Sequence, residues 1–208
     1  FETATLFAMF SDDGINGCAV AFQRHLRDRV VTWPDPNRPR PVHYNCWEAA
    51  YFNHNLPELK DIASRAAALG AERFVLDDGW FGNRDDDTMA LSDWEVDPRK
   101  YPEGLKPLID HVHAEGMTFG IWFEPEMINE DSNIHRAHPD WALGGEDQIL
   151  GRQQKALNMA LPEVQEFLFD RIGKILSDHE IDYIKWDHNR VLPSPDASQT
   201  RGSYALID

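Results

Sequence analysis

The chain has little cysteine, far fewer basic than acidic residues and no long apolar segment, and each of these features excludes a class of protein. Its two cysteines, Cys18 and Cys46, are too few for a disulfide framework, and neither belongs to a metal-binding pair. The 20 basic and 36 acidic residues give a formal net charge of −16, which argues against nucleic acid or an anionic membrane surface as a partner. No run of about 18 apolar residues is present, so no membrane span is expected.

Several motifs of catalysis and cofactor binding are also missing. No Gly-x-Ser-x-Gly sequence is present, so acyl-transfer chemistry has no support. No Gly-x-Gly-x-x-Gly follows the first predicted strand, which argues against a dinucleotide-binding fold. His111 and His113 lie two apart on a predicted helix and face different directions, so they are poor joint metal ligands. The acidic run Asp85-Asp86-Asp87 is interpreted as a solvated loop.

The first forty residues differ in pattern from the rest. A helix is predicted over about residues 17–31, and four prolines in nine residues then exclude helix and sheet over 33–41. We predict that 1–40 is a lead-in helix and proline-rich linker from a preceding domain, and that 41–208 begins the catalytic domain. Because the chain starts with phenylalanine and ends without a closing signal, we expect it to belong to a longer protein.

Beyond the proline-rich stretch, short apolar strands alternate with amphipathic helices. The predicted strands are 41–46, 73–77, 117–123 and 181–186, and the predicted helices are 56–69, 105–115 and 162–177. This alternation predicts an α/β fold with a parallel sheet covered on both faces. Charged and aromatic residues follow each strand, which is typical of a (β/α)8 TIM barrel, and a full barrel needs about 250 residues. We therefore predict the N-terminal half of a truncated barrel.

Two acidic motifs at predicted strand ends are candidates for chemistry. Asp77 and Asp78 follow a buried run and precede Gly79, and they are either ligand-binding carboxylates or loop and helix-cap acids. Lys185 and Asp187 lie two apart and share a strand face, so the cation would keep the carboxylate ionised. A fixed, ionised carboxylate suits a glycosidase nucleophile, although a structural ion pair is the alternative.

A third candidate motif, Trp122-Phe123-Glu124-Pro125-Glu126, follows the third strand. Trp122 would offer a flat indole wall to a sugar, and core packing is an equally good explanation of a tryptophan surplus. Glu124 and Glu126 are either catalytic or loop anchors bonded to backbone amides, and the anchor role is favoured for at least one of them.

Together these segments resemble glycoside hydrolase family 36, the bacterial-type α-galactosidases known as melibiases. Eight matching stretches occur in family order, and that order makes the resemblance specific. They are residues 44–52, 74–82, 84–87, 91–94, 120–127, 138–141, 151–154 and 181–190.

The resemblance implies roles for individual residues. It makes Asp187 the nucleophile, places Asp77 and Asp78 against galactose hydroxyls, and makes Trp122 a pocket wall. The other implied substrate-binding residues are Arg152, Lys185, Asn189 and Trp47, the last as an outer wall. Departures from the family pattern occur at Cys46, where Asn is usual, at His188, where Met is usual, and over 153–156.

The implied activity is retaining hydrolysis of terminal α-linked galactose, from oligosaccharides such as melibiose and raffinose, through a covalent galactosyl-Asp187 intermediate. Galactosyl transfer of the raffinose-synthase type, or a non-catalytic galactose-binding remnant, are the alternatives, because the family's acid/base aspartate would fall beyond Asp208. Two carboxylates supply the chemistry, so no cofactor or metal is expected. We expect an α-galactoside oligosaccharide as the ligand, no nucleic acid or membrane as a partner, a homo-oligomeric whole protein and a cytoplasmic location, with secretion left open.

Overall fold

A computed structural model describes residues 5–32, 35, 37–145 and 148–190 of the chain. It divides into two compact units, Phe1–Arg40 and Pro41–Asp208. The predicted proline-rich linker lies partly outside the described residues, at positions 33, 34 and 36. The origin of the first unit in a preceding domain stays a prediction.

The first unit contains one helix, α1, over Gly14–His25, which continues as a π-helical segment over Leu26–Val30. The helix begins three residues earlier than predicted, after a turn in which the Gly14 amide donates to the carbonyl of Ser11 at 3.2 Å. None of the residues of α1 is buried. Among the described residues of this unit, α1 is thus a surface helix that exposes apolar side chains such as Ile15 and Val20.

The second unit contains a parallel four-stranded sheet in the order β1-β2-β3-β6. Its strands are β1 (His43–Asn45), β2 (Arg73–Leu76), β3 (Thr118–Phe123) and β6 (Tyr183–Trp186). The helices are α2 (Trp47–Ala50), α3 (Leu56–Ala68), α4 (Lys106–Ala114), α5 (Asn133–Ala137) and α6 (Pro162–Asp178), with a 3-10 turn over Pro139–Trp141. A separate antiparallel pair joins β4 (Met127–Ile128) to β5 (Lys155–Ala156).

The four predicted strands and three long predicted helices are all present, apart from a few terminal residues. The Asn55 side chain accepts the Glu58 amide at 3.2 Å and so caps α3. The short elements α2, α5, β4 and β5 were not predicted, because two to five residues carry no readable periodicity. What the structure establishes is a partial parallel α/β sheet. Closure into a barrel is a proposal.

The hydrophobic core lies between the sheet and its helices and extends into an aromatic cluster beyond β2. The cluster consists of Trp80, Phe81, Trp94, Trp122 and Phe123, all at most 1% exposed. The rings of Phe81 and Trp122 are nearly parallel with centroids 6.3 Å apart, and the Trp80 indole donates to the Trp122 carbonyl at 2.9 Å. Core packing therefore accounts for several of the tryptophans. No helix in the described ranges is long and apolar enough to cross a membrane.

Gly120 in β3 is required by close packing. A Cβ added there would lie 2.9 Å from the Tyr183 ring and 3.2 Å from a methyl group of Val75. We expect Gly120→Ala to destabilise the fold by about 1–3 kcal/mol through overpacking. The control is Gly173→Ala in α6, where a Cβ meets no atom within 4 Å and helix propensity favours alanine. Thermal unfolding should show a lower Tm for the first variant only, and equal shifts would contradict this packing.

Candidate active site

The carboxyl ends of the four parallel strands meet at one edge of the sheet. Asn45 pairs in register with Val75, Leu76 with Ile121, and Phe123 with Trp186. The residues that follow these strand ends are therefore neighbours in space although they are far apart in sequence. They include the acidic residues Asp77, Asp78, Glu124 and Asp187.

Asp77 is almost fully buried and links β1 to β6. Its Oδ2 accepts a hydrogen bond from the Asn45 side-chain amide and another from Lys185 Nζ at 2.9 Å. The backbone amide of Asp77 donates to the Cys46 sulfur at 3.3 Å. Burial raises the pKa of the Cys46 thiol to about 12, so this sulfur is neutral at physiological pH. Asn45 was not predicted as a site residue, because one polar residue at the end of a three-residue strand gives no signal in the sequence.

The backbone amide of Asp78 donates to Asp77 Oδ1 at 2.9 Å, and the Asp78 carboxylate forms a bidentate ion pair with Arg84. The two hydrogen bonds are 2.9 and 2.8 Å long, and both side chains are at most 3% exposed. Burial raises the pKa of Asp78, while Arg84 acts to lower it. Arg84 also donates to the Met89 carbonyl and to Asn129 Oδ1, each at 2.8 Å. Arg84 was given no role from the sequence. In the structure it is the main partner of the Asp78 carboxylate.

The turn that separates the two aspartates from the next loop is held by Lys100. Its ammonium donates to the carbonyls of Phe52, Gly79 and Arg84 at 2.9, 3.0 and 2.7 Å. Gly79 has φ +110, and a Cβ there would lie 3.1 Å from the Phe52 backbone, so only glycine fits the turn. Burial, with a smaller effect of Lys100, lowers the pKa of nearby His54 to about 3, so this ring is neutral.

Asp187 follows β6 and is held from several sides. Its Oδ2 accepts the Trp122 indole N–H at 2.8 Å and lies 3.7 Å from Lys185 Nζ, while its Oδ1 accepts the His188 amide at 3.0 Å. Partial burial acts to raise the pKa of Asp187. The bonds from Trp122 and His188, together with the nearby Asn189 side chain and the charge of Lys185, outweigh it and lower the pKa overall. Asp187 is therefore ionised near neutral pH. The predicted pair with Lys185 is present, but Lys185 lies closer to Asp77.

Glu124 and Glu126 both anchor the segment that carries Asp187. Glu124 is fully buried, and it accepts hydrogen bonds from the backbone amide of Asn189 and from Gln154 Nε2, the latter at 3.1 Å. Glu126 accepts the indole N–H of Trp186 at 3.0 Å and contacts His188 Nδ1 at 2.8 Å. These contacts support the anchor interpretation for both residues.

The remaining predicted site residues differ in their burial and in their hydrogen-bond partners. Trp122 is 1% exposed and presents its indole N–H rather than an open ring face. Asn189 Nδ2 is buried and has no hydrogen-bond partner among the residues that the structure describes. Arg152 lies close enough to Asp78 to lower its pKa, and it donates to Asp87 at 2.8 Å. Trp47 packs edge-on against Tyr51 and Phe52 and contacts none of the carboxylates.

Two other acidic or histidine motifs have structural partners. The run lies in a loop and its side chains are largely exposed, as interpreted from the sequence, but Asp85 also pairs with Arg99 at 2.9 Å and with Lys100 at 3.1 Å, and Asp87 pairs with Arg152. His111 and His113 contact different residues, as their spacing predicted. Within the described ranges, no group of three or more His, Cys, Asp or Glu side chains is placed to hold a metal ion.

Comparison with known proteins adds an independent result. The family model described as Melibiase matches residues 1–205. An α-galactosidase of Escherichia coli is 49% identical over 99% of this chain and 30% of its own length. Mel36A of Lactobacillus acidophilus is 44% identical over 92% of this chain and 26% of its own. A similar solved structure is that of the family 36 α-galactosidase AgaA A355E from Geobacillus stearothermophilus in complex with 1-deoxygalactonojirimycin. It is 38% identical to this chain, with a TM-score of 0.86, and the match covers 95% of this chain and 29% of AgaA. The chain thus spans under a third of the length of these relatives.

We predict that removing the buried Asp78–Arg84 ion pair lowers the stability of the fold far more than removing an exposed ion pair does. Replacing Arg84 with Met leaves a buried carboxylate without its counter-charge, and we expect a loss of about 3–5 kcal/mol. The control is Arg65→Met, which removes an exposed pair with Asp61 at 2.9 Å and should leave stability unchanged within error. Urea unfolding of both variants measures the difference. Similar urea unfolding midpoints for the two variants would contradict a stabilising role of the buried ion pair.

Proposed function

The chain belongs to the melibiase family, glycoside hydrolase family 36, and we propose that it forms part of the catalytic domain of a retaining α-galactosidase. The observation that carries this proposal is the environment of Asp187. Its carboxylate is held by fixed donors, its pKa is lowered, and it remains partly exposed at the strand edge. A retaining glycosidase needs such a carboxylate to attack the anomeric carbon.

The mechanism that we propose has Asp187 displacing the aglycone to give a covalent galactosyl ester, which water then hydrolyses. The Trp122 indole N–H and the His188 amide orient the two oxygens of this carboxylate. Lys185 lies 3.7 Å from Asp187 and 2.9 Å from Asp77, so one cation compensates two neighbouring negative charges. Two carboxylates supply the whole reaction, so the proposal includes no metal or organic cofactor.

Recognition of galactose is assigned to polar groups around Asp187. Asn189 Nδ2 is a buried donor without a partner in the described part of the chain, and a sugar hydroxyl would satisfy it. Asp77 and Lys185 already share a hydrogen bond and would each accept or donate one more. Asp78, Arg152, Trp122 and Trp47 complete the proposed binding site.

The general acid is proposed to come from outside the described residues. Its carboxyl group must be about 5–5.5 Å from the nucleophile and face the leaving oxygen. Glu124 and Glu126 have both oxygens engaged with neighbouring chain segments, and Asp78 has both engaged with Arg84. Asp77 is bonded to Asn45 and Lys185. None of these four is arranged to donate a proton to a leaving group.

The substrates that we propose are galacto-oligosaccharides such as melibiose and raffinose. AgaA variants from Geobacillus stearothermophilus, 36% identical to this chain, have been solved in complex with stachyose and with raffinose. We also propose that the sheet continues into a (β/α)8 barrel. Within the described ranges, β1 and β6 are each paired on one side only, which leaves both edges available to the further strands of a barrel.

Chemical rescue tests the nucleophile in the protein that contains this chain. Asp187→Gly should lose hydrolysis of 4-nitrophenyl α-galactoside and recover turnover when azide is added. Azide fits the volume of the missing carboxylate and attacks from its side, so the product should be the inverted β-galactosyl azide, identified by NMR. An α-azide, or full hydrolysis without Asp187, would exclude Asp187 as the nucleophile. A galactosylated acceptor sugar as the main wild-type product would favour transfer over hydrolysis.

Trp122→Phe tests whether the indole hydrogen bond sets the ionisation of Asp187. The ionised form is the active one, so activity falls as pH drops through its pKa. Losing a donor to the charged form raises that pKa, and the acid limb of kcat/KM should move to higher pH. Trp80→Phe is the matched control, because its indole donates to a backbone carbonyl and not to Asp187. Identical acid limbs in wild type and Trp122→Phe would contradict the assignment.

A further inference from the structure

We propose that Glu124 is a positioning residue that fixes the segment carrying Asp187 by hydrogen bonding and takes no part in proton transfer. The proposal rests on the assignment of Asp187 as the nucleophile. It concerns a fully buried carboxyl group that lies beside the reacting site and that the mechanism above does not use.

Glu124 extends the pairing of two strands past the point where their backbones separate. The register of β3 with β6 ends at Phe123 and Trp186. The Asp187 amide still donates to the Phe123 carbonyl at 2.8 Å. Beyond Phe123 the chain turns towards β4. The amide of Asn189, two residues after that of Asp187, is bound by the Glu124 side chain.

Three consecutive residues of one segment thus hold three groups of the other. Trp122 binds the Asp187 carboxylate, Phe123 binds the Asp187 amide, and Glu124 binds the Asn189 amide. The Asp187 side chain is therefore held at its carboxylate and at the backbone on either side. Removing the last contact would free the backbone immediately after the nucleophile.

The second oxygen of Glu124 joins a third segment to the same place. Gln154 Nε2 donates to Glu124 Oε2 at 3.1 Å from a loop 30 residues further along the chain. With one oxygen on a backbone amide and the other on a side-chain amide, Glu124 has no oxygen directed at a leaving group. A general acid needs such an oxygen within hydrogen-bond reach of the substrate.

Burial raises the pKa of Glu124, and the donors Asn189 and Gln154 act against that rise. A raised pKa is also a property of general acids, so the pKa does not separate the two roles. The geometry does, since both oxygens already accept hydrogen bonds from the protein. A variant that keeps those bonds and moves the charge should therefore retain activity.

The test compares Glu124→Leu with the reciprocal exchange Glu124→Gln/Gln154→Glu in the whole protein. Glu124→Leu leaves the Asn189 amide and Gln154 Nε2 without their acceptor. We expect kcat to fall about 100-fold, as for misplacement of a reacting group by about 1 Å. In the exchange, the new amide at position 124 accepts the Asn189 N–H and donates to the new carboxylate at position 154, so we expect kcat to recover by about tenfold or more relative to Glu124→Leu.

Leaving-group dependence separates positioning from acid catalysis. A misplaced nucleophile should slow 4-nitrophenyl α-galactoside and raffinose by the same factor, with KM little changed. If Glu124 were the acid, the loss would be far greater for raffinose, whose leaving group needs a proton. The exchange would then give no rescue, and azide would yield the α-galactosyl azide. Either result would overturn the proposal.

Controls distinguish a local effect from loss of fold and from failure of the proposed function. Asp61→Asn removes an exposed ion pair with Arg65 on α3 and should leave kcat unchanged. All rates are measured well below the Tm of each variant, so a lower Tm with wild-type kcat would assign Glu124 a merely structural role and refute the proposal. If the wild type hydrolyses no α-galactoside, the proposed function fails and this inference fails with it. An active wild type with an unaffected Glu124→Leu variant would refute this inference alone.

Discussion

The hydrogen bond from Trp122 to Asp187 connects the hydrophobic core to the carboxylate on which the proposed chemistry depends. The Trp122 ring is packed among Phe81 and Trp94, so its N–H has a fixed direction. The indole nitrogen is 2.8 Å from Asp187 Oδ2, so the position of that oxygen is fixed as well. Aromatic packing that ordinarily contributes only stability therefore also orients the Asp187 carboxylate.

Four carboxyl groups lie along one sheet edge, and each has a different set of partners. Asp78 has Arg84, Asp77 has Asn45 and shares Lys185 with Asp187, and Glu124 has two amide donors. Burial raises the pKa of Asp78 and of Glu124, whereas donors lower that of Asp187. The environment thus gives chemically similar groups different ionisation tendencies, which is the usual way in which enzymes assign different roles to carboxylates.

The loops beyond the strands are joined to one another by side chains as well as by the short β4–β5 pair. Asn129 accepts from Arg84 and from the Leu91 amide, and it donates to the carbonyls of Asp87 and Gln153. One buried amide therefore connects the loop that carries Asp78's partner with the loop that carries Arg152. Neither Arg84 nor Asn129 was predicted as important, because a single polar residue in a loop has no periodicity and no characteristic spacing.

Hydrophobic periodicity in the sequence determined the strands and the long helices, and the alternation of these elements determined parallel pairing. The spacing of Lys185 and Asp187 likewise determined that they share a face. Only the tertiary structure decided that Lys185 lies nearer Asp77, that Trp122 offers an N–H rather than a ring face, and that the carboxylate of Asp78 is bound by Arg84. Those contacts join residues from different strands and loops. Their distances depend on the register of the sheet and on burial, which no local pattern in the sequence encodes.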